Sequence, residues 1–155
     1  MKCNVEEKEK TYYYTIGGHV HSWKYFAKDN YLYAYCSEDN NCMYYGSEAE
    51  LNDSIKLALS KPSNCVYNGS PIEAEINENE SDINSWEYFF NELPVIKYEA
   101  KTGSSLLNDK AVNVGSYTAR ISAGVGPDEK TAKVDFVITK NTTNSYYVIP
   151  KTGIE

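Results

Sequence analysis

The sequence lacks most of the patterns by which enzymes, nucleic-acid-binding proteins and membrane proteins are recognised. It has two histidines, and neither the G-x-S-x-G pattern of serine hydrolases nor the H-E-x-x-H pattern of zinc proteases occurs. The net charge is −7 without a basic patch, so nucleic acid is not an expected partner, because phosphate binding needs clustered Lys and Arg. No apolar run reaches the about 18 residues of a membrane-spanning helix. We therefore expect a non-enzymatic chain without a membrane span.

Leucine and phenylalanine are also scarce, whereas there are 15 tyrosines among 155 residues. Tyr, Val, Ile and Thr favour strands. The stretches TYYYTI, HVHSWKYFA and YLYAYCS have this composition, and the KDN between the last two predicts a hairpin turn. Residues 47–60 are expected to form a loop that leads into a strand.

Beyond residue 65 the sequence is a row of short alternating segments separated by turn residues. Residues 76–93 interrupt this row with an acidic, aromatic stretch that we expect to hold one helical turn. Short strands at this spacing, without helices between them, are typical of a β-sandwich. The predicted class is mostly β, with a small β-hairpin module followed by a sandwich.

Four segments of the second half, VYNGSPIEAEI, IKYEAKTGSSL, AVNVGSYTARISAG and AKVDFVITK, resemble the bacterial immunoglobulin-like modules of Gram-positive cell-surface proteins. The resemblance covers residues 62–140, and VGSYTARI is its most specific part. It implies an Ig-like sandwich that serves as a stalk or adhesion unit. We therefore expect a hairpin module over residues 1–60, the Ig-like sandwich over 61–141, and a C-terminal linker or truncated sorting signal over 142–155.

Both histidines and two of the four cysteines fall in the first hairpin. If the DN dipeptide forms the turn, paired residue numbers sum to about 59, Cys36 faces Trp23, and His21 lies diagonal to Cys36. His19 and His21 share one strand face, and Cys42 follows on a loop able to fold back. Because Zn²⁺ accepts a tetrahedral shell of two Cys and two His, we predict a structural zinc site at these four residues.

Two other interpretations of this hairpin stay open. The spacing H-x-H-x₁₄-C-x₅-C is not a standard zinc-finger spacing, and a Cys36–Cys42 disulfide would leave both histidines as ordinary surface residues. The two cysteines could also be unlinked thiols. Cys3 and Cys65 form a leftover pair that is either free or bridges the N-terminal arm to the second module, and we expect Cys65 to be a buried thiol at a strand start. The segment around the H-x-H-x-W pattern is similar to a small module that precedes Ig-like domains in some Firmicutes surface proteins.

Aromatic residues suggest an alternative function. Most are expected in the core or at half-buried strand positions, but Trp86, Tyr88 and Phe89 are candidates for an exposed surface that stacks on sugars. The chain would then be a carbohydrate-binding module.

The C-terminal stretch YYVIPKTGIE contains a sorting-like motif. Its residues Ile149, Pro150, Lys151, Thr152 and Gly153 resemble the sortase signal leucine-proline-x-threonine-glycine, with isoleucine in place of leucine. No hydrophobic span follows, so a truncated wall-sorting signal and a plain linker are both expected alternatives.

The first ten residues, MKCNVEEKEK, are too charged for a secretory signal, which leaves a cytosolic protein or the mature part of a longer precursor. With the family resemblance, the second is favoured. The sequence therefore predicts a non-catalytic, extracellular fragment of a bacterial cell-surface protein, an adhesion or spacer unit whose partner is a host protein or a glycan.

Overall fold

Short strands separated by tight turns make up most of the structure, a computed structural model that describes residues 20–38 and 41–142. The expected TYYYTI strand lies outside these residues. In chain order the elements are β1 (Trp23–Lys28), β2 (Tyr31–Cys36), β3 (Ile55–Ser60), β4 (Glu75–Ile76), α1 (Ile83–Phe90), β5 (Lys97–Ala100), β6 (Gly115–Ala123) and β7 (Lys130–Ile138). Short 3₁₀ turns lie at Glu78–Glu80 and Gly126–Asp128.

The first hairpin has the register that the sequence predicts. Strands β1 and β2 pair antiparallel, with Trp23 opposite Cys36 and Lys28 opposite Tyr31. The two-residue connection begins at Asp29, whose φ is 55°, a left-handed conformation that Asp tolerates in such turns. The predicted pairing, in which residue numbers sum to 59, is confirmed.

The strands form two antiparallel sheets. The first has the order β1-β2-β3-β4 and the second the order β5-β6-β7. This confirms the mostly β prediction. In both sheets the strands pair in chain order, whereas immunoglobulin domains use Greek-key connections. The Ig-like assignment therefore stays a prediction.

Buried side chains of both sheets form one hydrophobic cluster. The alternation expected for the last two strands is confirmed. Alternate residues of each strand belong to this cluster or pack against it, namely Tyr117, Ala119 and Ile121 of β6 and Ala132, Val134, Phe136 and Ile138 of β7. The cluster includes Leu32, Ala34, Ile55, Leu57, Leu59, Tyr117, Ala119, Ile121, Ala132, Phe136 and Ile138.

The expected boundary near residue 60 does not divide this core. Strand β3 ends at Ser60 and pairs with β4, so that Leu59 lies opposite Ile76 in one sheet. Strands β1, β2 and β3 all contact β7 of the other sheet. At the tip of the first hairpin, the Lys133 N–H donates to the Asp29 carbonyl at 3.0 Å. A small segment buries little apolar surface alone, and here the two halves complete each other's core.

Helix α1 is longer than the single turn expected in the acidic segment. Ile83, Trp86 and Phe90 recur at the three- and four-residue spacing of one helix face. The acidic residues around them make this helical pattern difficult to recognise in the sequence. Trp86 is 2% exposed and packs against Tyr25, with ring centroids 6.1 Å apart. In the part of the chain that the structure describes, no helix is long and apolar enough to cross a membrane.

Candidate metal centre

After β2 the chain loops back and lies beside the end of the first hairpin. The Cys36 N–H donates to the Tyr44 carbonyl at 2.9 Å, and the Cys36 carbonyl accepts from the Gly46 N–H at 3.1 Å. The chain around Tyr45 thus runs parallel to the end of β2. On the other side of Cys36, the Ser37 N–H donates to the Ser22 carbonyl at 2.9 Å, which continues the hairpin ladder beyond Trp23.

These connections place three metal-ligating side chains together. The ligand atoms of His21, Cys36 and Cys42 all lie within 4.8 Å of one another, and the Cys42 Sγ is 3.3 Å from the His21 Nδ1. In a tetrahedral zinc site, Zn–S and Zn–N bonds of about 2.3 and 2.0 Å separate the ligand atoms by about 3.6–3.8 Å. The group could therefore hold a metal ion after shifts of about 1 Å or less.

Backbone N–H groups already point at both sulfur atoms. The Ser22 N–H lies 3.4 Å from the Cys36 Sγ, and the Tyr44 N–H lies 3.5 Å from the Cys42 Sγ. Such donors stabilise thiolates and orient them toward a metal. One contact works in the other direction, because the Cys36 thiol donates to the Glu38 carbonyl at 3.6 Å. A bound cation would replace the proton of that thiol.

Burial raises the pKa of the Cys42 thiol to about 12, although the Tyr44 N–H opposes the rise and the nearby Cys36 adds to it. Without a bound cation, Cys42 is therefore a protonated thiol at neutral pH. A protonated thiol is a poor nucleophile, so these contacts do not describe an activated catalytic cysteine.

Aromatic rings enclose the imidazole of His21. Its ring centroid lies 4.8 Å from that of Trp23, 5.1 Å from that of Phe89 and 5.9 Å from that of Tyr44. Phe89 belongs to α1, so the acidic segment supplies one wall of a centre whose ligands come from the first hairpin. An apolar shell of this kind limits water access to a metal site. The H-x-W spacing places Trp23 on the strand face of His21, but nothing in the sequence pairs Phe89 with it.

The structure brings together three of the four predicted ligands. His19, the fourth, lies outside the described residues, as does Cys3. No disulfide joins any two of the three described cysteines. Cys65 is not among the residues that converge at the centre. It is partly rather than fully buried, and its thiol donates to the Pro62 carbonyl at 3.6 Å.

The proposed sugar-stacking surface is not formed as expected. The predicted exposure of Trp86 is wrong, because α1 turns this side chain into the core, where it is 2% exposed. Phe89 is partly buried in the aromatic shell of His21, and Tyr88 alone of the three is well exposed, at 61%. The sorting-like residues 149–153 lie outside the described residues.

Comparisons with protein-family models, with curated proteins and with solved structures give no match.

Proposed function

We propose that this chain is a non-catalytic β module of a bacterial cell-surface protein, acting as an adhesion or spacer unit, and that a structural Zn²⁺ fastens the end of its first hairpin. The proposed zinc site is supported by the convergence of His21, Cys36 and Cys42. His19, two residues before His21 in the sequence, is the proposed fourth ligand.

Zinc fits this donor set better than the other common divalent ions do. Two thiolates and an imidazole are soft and borderline ligands, whereas Ca²⁺ and Mg²⁺ prefer oxygen atoms. With a second histidine the shell would have four protein ligands, which is typical of structural rather than catalytic zinc. The aromatic rings around His21 support a closed site. For these reasons we propose a stabilising metal and no hydrolytic one.

The surface role has different support. The resemblance of residues 62–140 to Gram-positive surface modules provides the cellular setting. The shared core of the two sheets provides a stiff body, as a spacer requires, and the loops between strands are free to make contacts. Labelling of intact cells with a membrane-impermeant biotin reagent tests the location. Labelling only after lysis would contradict the proposal.

Native mass spectrometry of protein purified without chelator tests the metal centre. We expect one zinc per chain, lost with EDTA, and alkylation of Cys36 and Cys42 only after that loss. Cys42→Ser should abolish zinc binding. Cys65→Ser is the matched control and should keep the metal, since Cys65 is also partly buried but is not one of the converging residues.

Two results would overturn the zinc proposal. A metal-free mass two hydrogens lower, with resistance to alkylation until reduction, would show a Cys36–Cys42 disulfide. Full alkylation of both cysteines in protein that never held metal would show ordinary thiols.

A further inference from the structure

One side of the first sheet presents aromatic and basic side chains away from the core. Paired residues of antiparallel strands point to the same side of a sheet, so the register that aligns Phe26, Tyr33 and Lys56 places all three on one side. Leu32 and Leu57 pair on the other side, in the buried cluster. Alternation along the strands adds three more residues to the first side. This outer face consists of Lys24, Phe26, Lys28, Tyr31, Tyr33 and Lys56.

The three aromatic rings of the outer face form a continuous row. The ring centroid of Tyr33 lies 6.4 Å from that of Phe26 and 6.1 Å from that of Tyr31, and the neighbouring rings are inclined to each other by only 32° and 33°. All three residues are half-buried, and none of them is among the described residues that form the hydrophobic cluster or pack against it. The row is therefore an apolar strip on the surface of the sheet.

Three lysines flank this row. Lys28 lies opposite Tyr31, and Lys56 lies opposite Tyr33 with its Nζ 5.1 Å from the centroid of the Tyr31 ring. Lys24 and Lys28 are exposed. Among the residues that the structure describes, no acidic side chain forms an ion pair with any of the three lysines. Strand pairing thus produces a basic patch that no run of the sequence shows.

The outer side of the second sheet has a different composition. Its strand positions include acidic as well as basic residues and no aromatic one. Two ion pairs form there, in which the Lys101 Nζ lies 2.8 Å from an Asp135 oxygen and the Arg120 Nε lies 2.9 Å from a Glu99 oxygen. By contrast, no acidic residue occupies the outer side of β1, β2 or β3. Rings beside unpaired lysines indicate a ligand that is anionic and has flat apolar surfaces.

We propose that the outer face binds an acidic polysaccharide, a chain of sugar rings that bears carboxylate groups. The C–H faces of sugar rings suit aromatic side chains, and carboxylates form charge-assisted hydrogen bonds with lysine. The strip from Phe26 to Lys56 crosses three strands and is therefore about 10 Å wide. It provides rings in the middle and ammonium groups at its margins, which matches a polymer with apolar ring faces and charged substituents.

A nucleic-acid strand fits this face less well. The Tyr31 hydroxyl, at one end of the row, donates to the Glu80 carboxylate at 3.1 Å. Asp29 and Glu80 line a polar cleft of about 540 Å³ at that end. Carboxylates accept hydrogen bonds from sugar hydroxyls, whereas they repel a backbone with a phosphate at every nucleotide. A polysaccharide with a carboxylate on every second ring has a lower charge density, which suits three lysines in a chain of net charge −7.

The inference names a ligand for the adhesion role proposed above and rests on that role for its biological setting. The outer face includes none of the proposed metal ligands. Binding is measured on the purified chain and requires neither zinc nor a cell. A failure of binding would therefore leave the tests of the metal and of the cellular location unaffected, and failure of either of those tests would leave the binding result unaffected.

The test is a calorimetric titration of the whole chain with hyaluronan oligosaccharides, which bear a carboxylate on every second ring. We expect saturable binding that weakens as NaCl is added, because salt screens exposed charges. Maltodextrin, a neutral polymer of glucose, tests the need for carboxylates, and oligothymidylate tests a single-stranded nucleic acid. Both should bind at least tenfold more weakly than hyaluronan in the same buffer.

Two variants and one control locate the site. Lys28→Gln removes an exposed charge and should weaken hyaluronan binding about tenfold, and Tyr33→Ala removes the central ring and should weaken it about fivefold. Lys97→Gln is the matched control, since Lys97 is an exposed lysine on the outer side of the second sheet, and it should bind like the parent chain. The Tm of each variant shows whether it is folded, and Lys28→Gln should keep that of the parent chain.

Four results would overturn the proposal. Hyaluronan might as well be absent if no saturable binding occurs at millimolar concentration, and equal binding of maltodextrin would show that the lysines select nothing. Tighter binding of oligothymidylate would identify a nucleic-acid surface instead. Folded Lys28→Gln and Tyr33→Ala variants that bind like the parent chain would place the ligand elsewhere. Equal losses in Lys28→Gln and Lys97→Gln would show a general effect of charge.

Discussion

Replacement of Trp86 by alanine should destabilise the fold strongly, because this side chain anchors α1 to the core. Trp86 is 2% exposed, and its ring centroid lies 4.9 Å from that of Phe90 and 6.1 Å from that of Tyr25. Truncation of a buried Trp or Phe to Ala costs about 3–5 kcal/mol, since lost burial and a residual cavity add together. For a domain whose free energy of unfolding is about 5–15 kcal/mol, this is a large fraction.

Urea unfolding followed by far-ultraviolet circular dichroism measures this cost without relying on the fluorescence of the residue that is replaced. A loss of 3–5 kcal/mol corresponds to a fall in Tm of about 6–20 °C for a chain of this size. Trp86→Phe keeps most of the ring and should cost less than half as much. A graded series of this kind separates lost packing from general misfolding.

Tyr88→Ala is the control, because Tyr88 lies two residues after Trp86 on the same helix. Tyr88 is 61% exposed, and its ring contacts that of Phe89 at 4.9 Å. Loss of one aromatic contact at a largely exposed site should cost about 1 kcal/mol. If Trp86→Ala proves no more costly than Tyr88→Ala, then Trp86 does not anchor the helix, and the exposed sugar-stacking interpretation of Trp86 regains its basis.

Three further outcomes are expected. Gly124→Ala should lower the free energy of unfolding by about 1–3 kcal/mol, because the φ of +92° disfavours a side chain and the new Cβ would lie 2.6 Å from a backbone oxygen. Gly103 has a φ of +87° but open space around it, so Gly103→Ala should cost less in the same urea assay. Hydrogen bonds from Lys101 and Thr118 lower the pKa of Asp135. The stabilising effect of its carboxylate is therefore present at neutral pH and is lost as the pH falls through the lowered pKa, so the stability difference between the parent chain and Asp135→Asn should shrink in acid. A difference that stays constant with pH would contradict this. Removal of zinc by EDTA should raise amide hydrogen exchange at the end of the first hairpin while leaving β6 and β7 protected, and uniform loss of protection would contradict a local metal role.

Local patterns were sufficient to predict the hairpin and most strands. The DN dipeptide determined the turn, and from the turn followed the register that sets Cys36 opposite Trp23. Alternation of apolar residues likewise identified the buried face of β6 and β7. Both signals depend on residues that are close in sequence.

Features that depend on distant contacts were missed. Trp86 was a candidate for an exposed sugar-stacking surface, although its spacing from Ile83 and Phe90 is that of a helix face. Leu59 pairs with Ile76 and so joins the two expected modules in one sheet. No pattern of neighbouring residues in the sequence predicts this pairing. In the same way, Phe89 reaches His21 only through the packing of α1 against the hairpin.

The shared core changes what a metal at this centre can do. A hairpin module of about 60 residues standing alone would bury too little surface to fold well, and zinc would then supply much of its folding free energy. Here Leu32 and Leu57, one on each of the neighbouring strands β2 and β3, lie in the same buried cluster as Phe136 of the second sheet. The hairpin is therefore supported along its length by packing, while its end, with Cys36, depends on the loop that returns through Tyr44. A metal bound to His21 would hold that end of the hairpin against α1, whose Phe89 belongs to the aromatic shell of His21. The metal would therefore stabilise one end of the hairpin locally, and the rest of the fold would not require it.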